Sequence, residues 1–136
     1  MSLQSADMTL IPDTPDQTNP KDLLGVQKVR LSYVPPASTI YQALAMQDGA
    51  RKYGPYNWRS KKVQAAIYID AAKRHLDAWF DGEENADDSG YPHLGHALAC
   101  IGIIVDALET GNLLDDRPLP GPTARLLKKW KTTAKR

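Results

Sequence analysis

The sequence predicts an all-α domain organised around an antiparallel helical hairpin, and three observations carry that expectation. Apolar residues recur at three- and four-residue intervals from Val63 to Phe80 and again from Leu94 to Leu108, the spacing that lines one face of a helix. Glycine stops stand where each run ends, at Gly82 and at Gly111-Asn112. No internal repeat and no meander of alternating strands interrupts them, which leaves helix packed on helix as the architecture.

The elements follow in order. Residues 1 to about 20 are polar and carry Pro12, Pro15 and Pro20, a composition that reads as a flexible arm. Leu23 to Val34 reads as a short extended segment or a poor helix. A first good helix follows Pro35-Pro36, with Ser38 or Thr39 able to cap it and Ile40, Ala43, Leu44, Ala45 and Ala50 as apolar positions; Gly49 weakens its end. The stiff aromatic turn KYGPYNW comes next. Ser60 is positioned to cap a second helix, in which Val63, Ile67, Ala71, Ala72, Leu76, Trp79 and Phe80 share the apolar face. A third helix starts near Tyr91, with Pro92 in its first turn, and runs through Leu94, Ala97, Leu98, Ile101, Ile104, Val105 and Leu108. Its apolar residues go most of the way round, so it should be the most buried. The connection RPLPGP leads to an amphipathic basic tail, TARLLKKWKTTAKR. The expected domain organisation is therefore an arm over 1–22, a catalytic helical domain over 23–115, and a Pro-rich connection with a basic helix or tail over 116–136.

Composition bounds the function. A chain of 136 residues, 42% hydrophobic and 24% charged, suits one compact domain. Lys and Arg number 17 against 16 Asp and Glu, a net +1 that makes no global case for nucleic acid or membrane as partner. Cys100 is the only cysteine, which excludes an intrachain disulfide and a cysteine-cluster metal site. The N-terminal residues show no basic stretch followed by an apolar run, and ALACIGIIVDAL is too short to span a bilayer. The expectation is a soluble cytoplasmic protein, in the host cytoplasm for a phage-encoded chain.

Chemistry concentrates at the hairpin tip. Asp77, Asp81, Glu83, Glu84, Asp87 and Asp88 fall in twelve residues that hold no basic side chain. His93 and His96 lie three apart on one helical face, with Cys100 further along the same stripe. On the second helix His75 shares its face with Tyr68, Ala71, Ala72 and Trp79, so all three histidines can converge beside the acidic loop. Carboxylates with neutral imidazoles suit one or more divalent cations that polarise phosphate oxygens. A solvated acidic loop and structural histidines are the competing reading.

The stretches GARKYGPYNWR, YIDAAKRHLDAWFDGEE and DDSGYPHLGHALA, in that order, resemble the domain of phage dATP/dGTP diphosphohydrolases, relatives of the MazG-like all-α nucleotide pyrophosphohydrolases. The resemblance runs from about Pro35 to Leu108 and lies nearest the MazZ-type branch. It implies a MazG-like helical bundle completed by oligomerisation, as a dimer or tetramer. It also implies conversion of a purine deoxynucleoside triphosphate, dGTP first and dATP second, to the monophosphate and pyrophosphate, in phages that remodel the nucleotide pool for 2-aminoadenine DNA. The family's motifs fall on Arg74, His75 and Leu76, on Gly82 and Glu83, on Asp88, Ser89 and Gly90, and on His93 and His96. Three positions depart from it. HLGHAL stands where the wider superfamily has Glu-x-x-Asp, Ala86 stands where an aspartate is expected, and Cys100 stands where an asparagine is common.

On this reading Mn2+ or Mg2+, in more than one copy, mediates between the triphosphate and the acidic tip. Glu83, Asp88 and His93 are the first expectations as ligands or base, with His75 and His96 next among the ligands. Lys52, Arg59 and Arg74 suit phosphate oxygens. Tyr53, Tyr56, Asn57 and Trp58 supply rings to stack on a purine and an amide to read its edge. Two alternatives stay open: a nucleic-acid-binding accessory protein that uses the basic tail, and a metal phosphohydrolase that releases triphosphate or inorganic phosphate.

Overall fold

The structure, a computed structural model, describes residues 18–132; most of the expected N-terminal arm and the last four residues of the basic tail lie outside them. The described residues divide into two units after Pro35. In the first, helix α1 (Pro20–Gly25) is opened by Asn19, whose side chain accepts from the Lys21 N–H at 3.1 Å, with Pro20 at its first position. A single 3-10 turn follows at Leu31–Tyr33, with the Arg30 guanidinium over the Tyr33 ring. The segment is thus a short helix and a turn, and neither buries a residue.

The second unit carries the site. Helix α2 (Pro36–Tyr53) starts at the proline itself and not at Ser38 or Thr39, because a proline at the first position gives up no needed N–H. It ends where Gly54 takes φ 89°, its N–H bonded to Ala50 O at 2.9 Å. After Pro55, Tyr56 sits in the left-handed region at φ 58°, ψ 26°, and a single turn α3 (Asn57–Ser60) follows. Ser60 therefore closes that turn, its hydroxyl on Asn57 O, and does not cap the next helix.

Two-residue strands β1 (Val63–Gln64) and β2 (Leu113–Leu114) pair in parallel, Val63 opposite Leu113 and Gln64 opposite Leu114. They are a small β addition to an otherwise helical chain. Helix α4 (Ala65–Phe80) begins directly after β1. One of its opening N–H groups finds its acceptor far along the chain: Asp116 Oδ1 takes the Ala66 N–H at 2.8 Å, while Oδ2 takes the Gln64 side-chain Nε2 at 2.9 Å. An acidic group at this end also complements the helix dipole. Gly82, at φ 108°, stops the helix as expected.

Helix α5 (His93–Glu109) packs against both α4 and α2. Pro92 is its cap, one position before the first turn, and Gly111 at φ 71° turns the chain away after Glu109. The core between the helices is built from small residues, including Ala45, Ala72, Ala97, Ala99 and Ala107, which lets backbones approach closely. Gly95 marks the tightest point, where a Cβ would run into the Tyr41 carbonyl of α2. More buried residues belong to α5 than to any other helix, yet Ile101, Val105 and Leu108 remain exposed along one of its faces. A last short helix α6 (Thr123–Lys129) buries none. Among the described residues no helix is long and apolar enough to cross a membrane.

Candidate functional site

The N-terminal half of α5 lies against α4, and this contact brings the three histidines together. His75 Nδ1 on α4 stands 2.8 Å from His93 Nδ1, and the His75 ring stacks on His96 with centroids 4.7 Å apart and planes 13° from parallel. His93 is buried, and its other nitrogen, Nε2, lies 2.6 Å from Glu83 Oε1. A carboxylate only accepts, so His93 Nε2 carries a proton toward Glu83. With one proton on each ring and that of His93 on Nε2, the His93 Nδ1 is an acceptor, His75 Nδ1 is the donor, and the lone pair of His75 lies on Nε2. Burial holds the His75 imidazole below its ordinary pKa, and the neighbouring His96 and His93 push the same way against Asp88. His96 is likewise lowered, by burial first.

A cavity of about 370 Å³ opens beside this cluster. His75, His96, Asp88, Arg74 and Lys52 give it a polar side, and Tyr53, Asn57 and Trp58 give it an aromatic and amide side. Lys52 Nζ bridges two carboxylates, 3.0 Å from Asp48 Oδ2 and 3.4 Å from Asp88 Oδ2. That ammonium lowers the pKa of both acids, more than the burial of Asp48 raises it. Asp48 is buried and also receives Arg51 Nη2 at 3.0 Å. It was absent from the sequence expectations, although its spacing of three and four residues from Arg51 and Lys52 was a usable signal.

Of the expected site residues, Lys52, Tyr53, Asn57, Trp58, Arg74, His75, Asp88 and His96 line this cavity. Glu83 and His93 stand behind His75. Arg59 goes elsewhere: its Nε and Nη2 both donate to Asp106, at 2.5 and 2.8 Å, an engaged fork that sits outside the cavity lining. Cys100 lines the cavity with its thiol pushed up by burial. Ala86 is buried, and its backbone ties the loop to Tyr91 and Gly90, a place where an unpaired carboxylate would be costly.

As they are arranged, the side chains around the histidines are paired with one another and not gathered about a common point. Both nitrogens of His93 are engaged, His96 Nε2 is 2.7 Å from Ser89 Oγ, and Asp48 and Asp88 face an ammonium that already supplies their countercharge. Among the described residues no three His, Cys, Asp or Glu side chains are grouped to hold a metal ion.

Comparison with known proteins points one way. A family described as dATP/dGTP diphosphohydrolase, N-terminal, matches residues 18–117. A dATP/dGTP diphosphohydrolase of Salmonella phage PMBT28 is 31% identical over 90 residues, which cover 66% of this chain and 30% of that protein. The chain thus spans less than a third of that relative's length. No solved structure matches.

Proposed function

The chain belongs to the dATP/dGTP diphosphohydrolase N-terminal family, and from that premise we propose that it hydrolyses a purine deoxynucleoside triphosphate to the monophosphate and pyrophosphate. The observation that carries the proposal is one cavity that joins a neutral, relay-backed imidazole at His75 to aromatic and amide groups at Tyr53, Asn57 and Trp58. The purine stacks on the aromatic side, and the Asn57 amide reads its edge. Arg74 and Lys52 take phosphate oxygens. Asp88 and the exposed acids of the tip would face Mg2+ or Mn2+ brought with the triphosphate, which would supply the countercharge between them and the phosphates.

His75 activates water. Its Nε2 lone pair takes the proton as the water oxygen attacks phosphorus, and its Nδ1 proton passes across 2.8 Å to His93 Nδ1. His93 then carries the positive charge against the Glu83 carboxylate at 2.6 Å, so the charge settles on a buried ring that has a counter-ion. Pyrophosphate leaves with the electron pair of the broken P–O bond. Glu83 and His93 act through His75 and need not touch substrate.

We assign the same purine chemistry to pool remodelling for 2-aminoadenine DNA, and a homo-oligomer as the working form. The exposed Ile101, Val105 and Leu108 face supports the second assignment. The deciding experiment is a panel of all deoxy and ribo triphosphates with Mg2+, Mn2+ or a chelator and chromatographic identification of products. Monophosphate and pyrophosphate from dGTP or dATP are expected. Triphosphate or inorganic phosphate as the product, or no turnover of any purine, rejects the proposal.

A further inference from the structure

Trp58 lines two spaces, the polar cavity with His75 and His96 and an apolar cleft of about 290 Å³ with Met46, Ala50, Pro55 and Tyr56. What holds its indole therefore bears on the shape of the nucleotide cavity. Within KYGPYNW the turn places Gly54 and Tyr56 in the left-handed region, which Tyr56 enters against its own Cβ, and the Tyr56 ring meets Trp58 at a tilt, with centroids 5.7 Å apart.

The anchor is on α5. The indole Nε1–H donates to Asp106 Oδ2 at 2.8 Å, and the Arg59 fork on the same carboxylate balances its charge. That balance is needed, because Asp106 stands in the last turn of a helix, where the dipole disfavours a carboxylate. Arg59 is the largest cause of its lowered pKa and the indole the next. The backbone is pinned as well: Asn112 Nδ2 donates to the carbonyls of Trp58 and Lys61, while Asn112 O accepts from the Val63 N–H at 3.0 Å. Ring and main chain of Trp58 are therefore both held at the C-terminal end of the helix whose N-terminal end carries His93 and His96.

We propose that Asp106 is a positioning residue for base recognition: it locks the Trp58 indole as the cavity wall, and α5 acts as the rigid ruler between that wall and the histidines. The inference rests on the nucleotide reading above and adds to it a residue outside the cavity lining. Arg59, on this account, serves the base end through Asp106 and does not hold phosphate.

The test is a cycle of Asp106→Asn, Trp58→Phe and the double variant, with kcat and KM for dGTP and dCTP and the indole region of a 1H–15N spectrum. Asparagine keeps the shape but offers one acceptor oxygen and no charge to three donors. Asp106→Asn should raise KM for dGTP about tenfold, narrow the dGTP-to-dCTP preference, and change kcat less than about twofold. It should also shift the Trp58 indole cross-peak, assigned by its loss in Trp58→Phe. In the Trp58→Phe background, which has no indole N–H, the same change at Asp106 should add little. An unchanged preference in Asp106→Asn, or an equal effect with and without the indole, overturns the inference while leaving the hydrolase reading intact. A fall in kcat with no shift of the indole peak also overturns it. A wild-type chain that turns over no deoxynucleoside triphosphate removes the hydrolase reading first and the specificity role with it.

Discussion

A neutral imidazole whose Nδ1 proton is committed to a neighbour has one lone pair to use, and the contacts of His93 with His75 and Glu83 suit that state of His75. His75→Gln should lower kcat by about 100-fold or more, the usual worth of a positioned general base, with a smaller change in KM; a kinetic comparison at saturating dGTP checks it. The pKa of His75 is lowered by burial, so the acid limb of kcat should fall below the ordinary imidazole value of about 6.5. Stability follows the same sign. The folded His75 and His96 bind protons less readily than the unfolded chain does, so stability should decline as pH drops through the ordinary imidazole range, and level off below the folded values. Melting curves from pH 8 to pH 5 read this directly. That the three histidines could converge was visible at this scale from spacing; that Arg59 faces Asp106 was not, because the two lie far apart in sequence.

At the scale of elements, packing between α2 and α5 depends on absent side chains. A Cβ on Gly95 would meet the Tyr41 backbone carbonyl, and a backbone atom cannot step aside as a flexible side chain can. Gly95→Ala should therefore destabilise the fold by about 1–3 kcal/mol, despite the better helix propensity of alanine, with thermal melting as the readout. An unchanged melting temperature would show that the two helices separate at little cost. The helices themselves were legible from the three- and four-residue spacing, and the glycine stops ended them where expected. Their starts differ from the sequence expectation for two reasons. Pro36 needs no cap, and the acceptor that opens α4 comes from Asp116, fifty residues beyond Ala66.

For the whole molecule, the open matter is what covers α5. Ile101, Val105 and Leu108 recur at four and three residues and stay exposed, an apolar stripe of the kind that packs against another helix. Light scattering should find the wild-type chain as a dimer or tetramer, and Val105→Lys should shift it toward monomer. A wild-type monomer would end the oligomer proposal. The sequence alone determined that the chain is helical, where the two hairpin helices stop, and to which family it belongs, since periodicity and motif order are properties of the chain itself. Only the tertiary structure decided that Lys52 lies between Asp48 and Asp88, that Glu83 backs His93, and that Asp106 holds Trp58. The reason is physical: helical spacing fixes the direction of a side chain about its own axis, but its partner depends on which other helix arrives there, and at what distance.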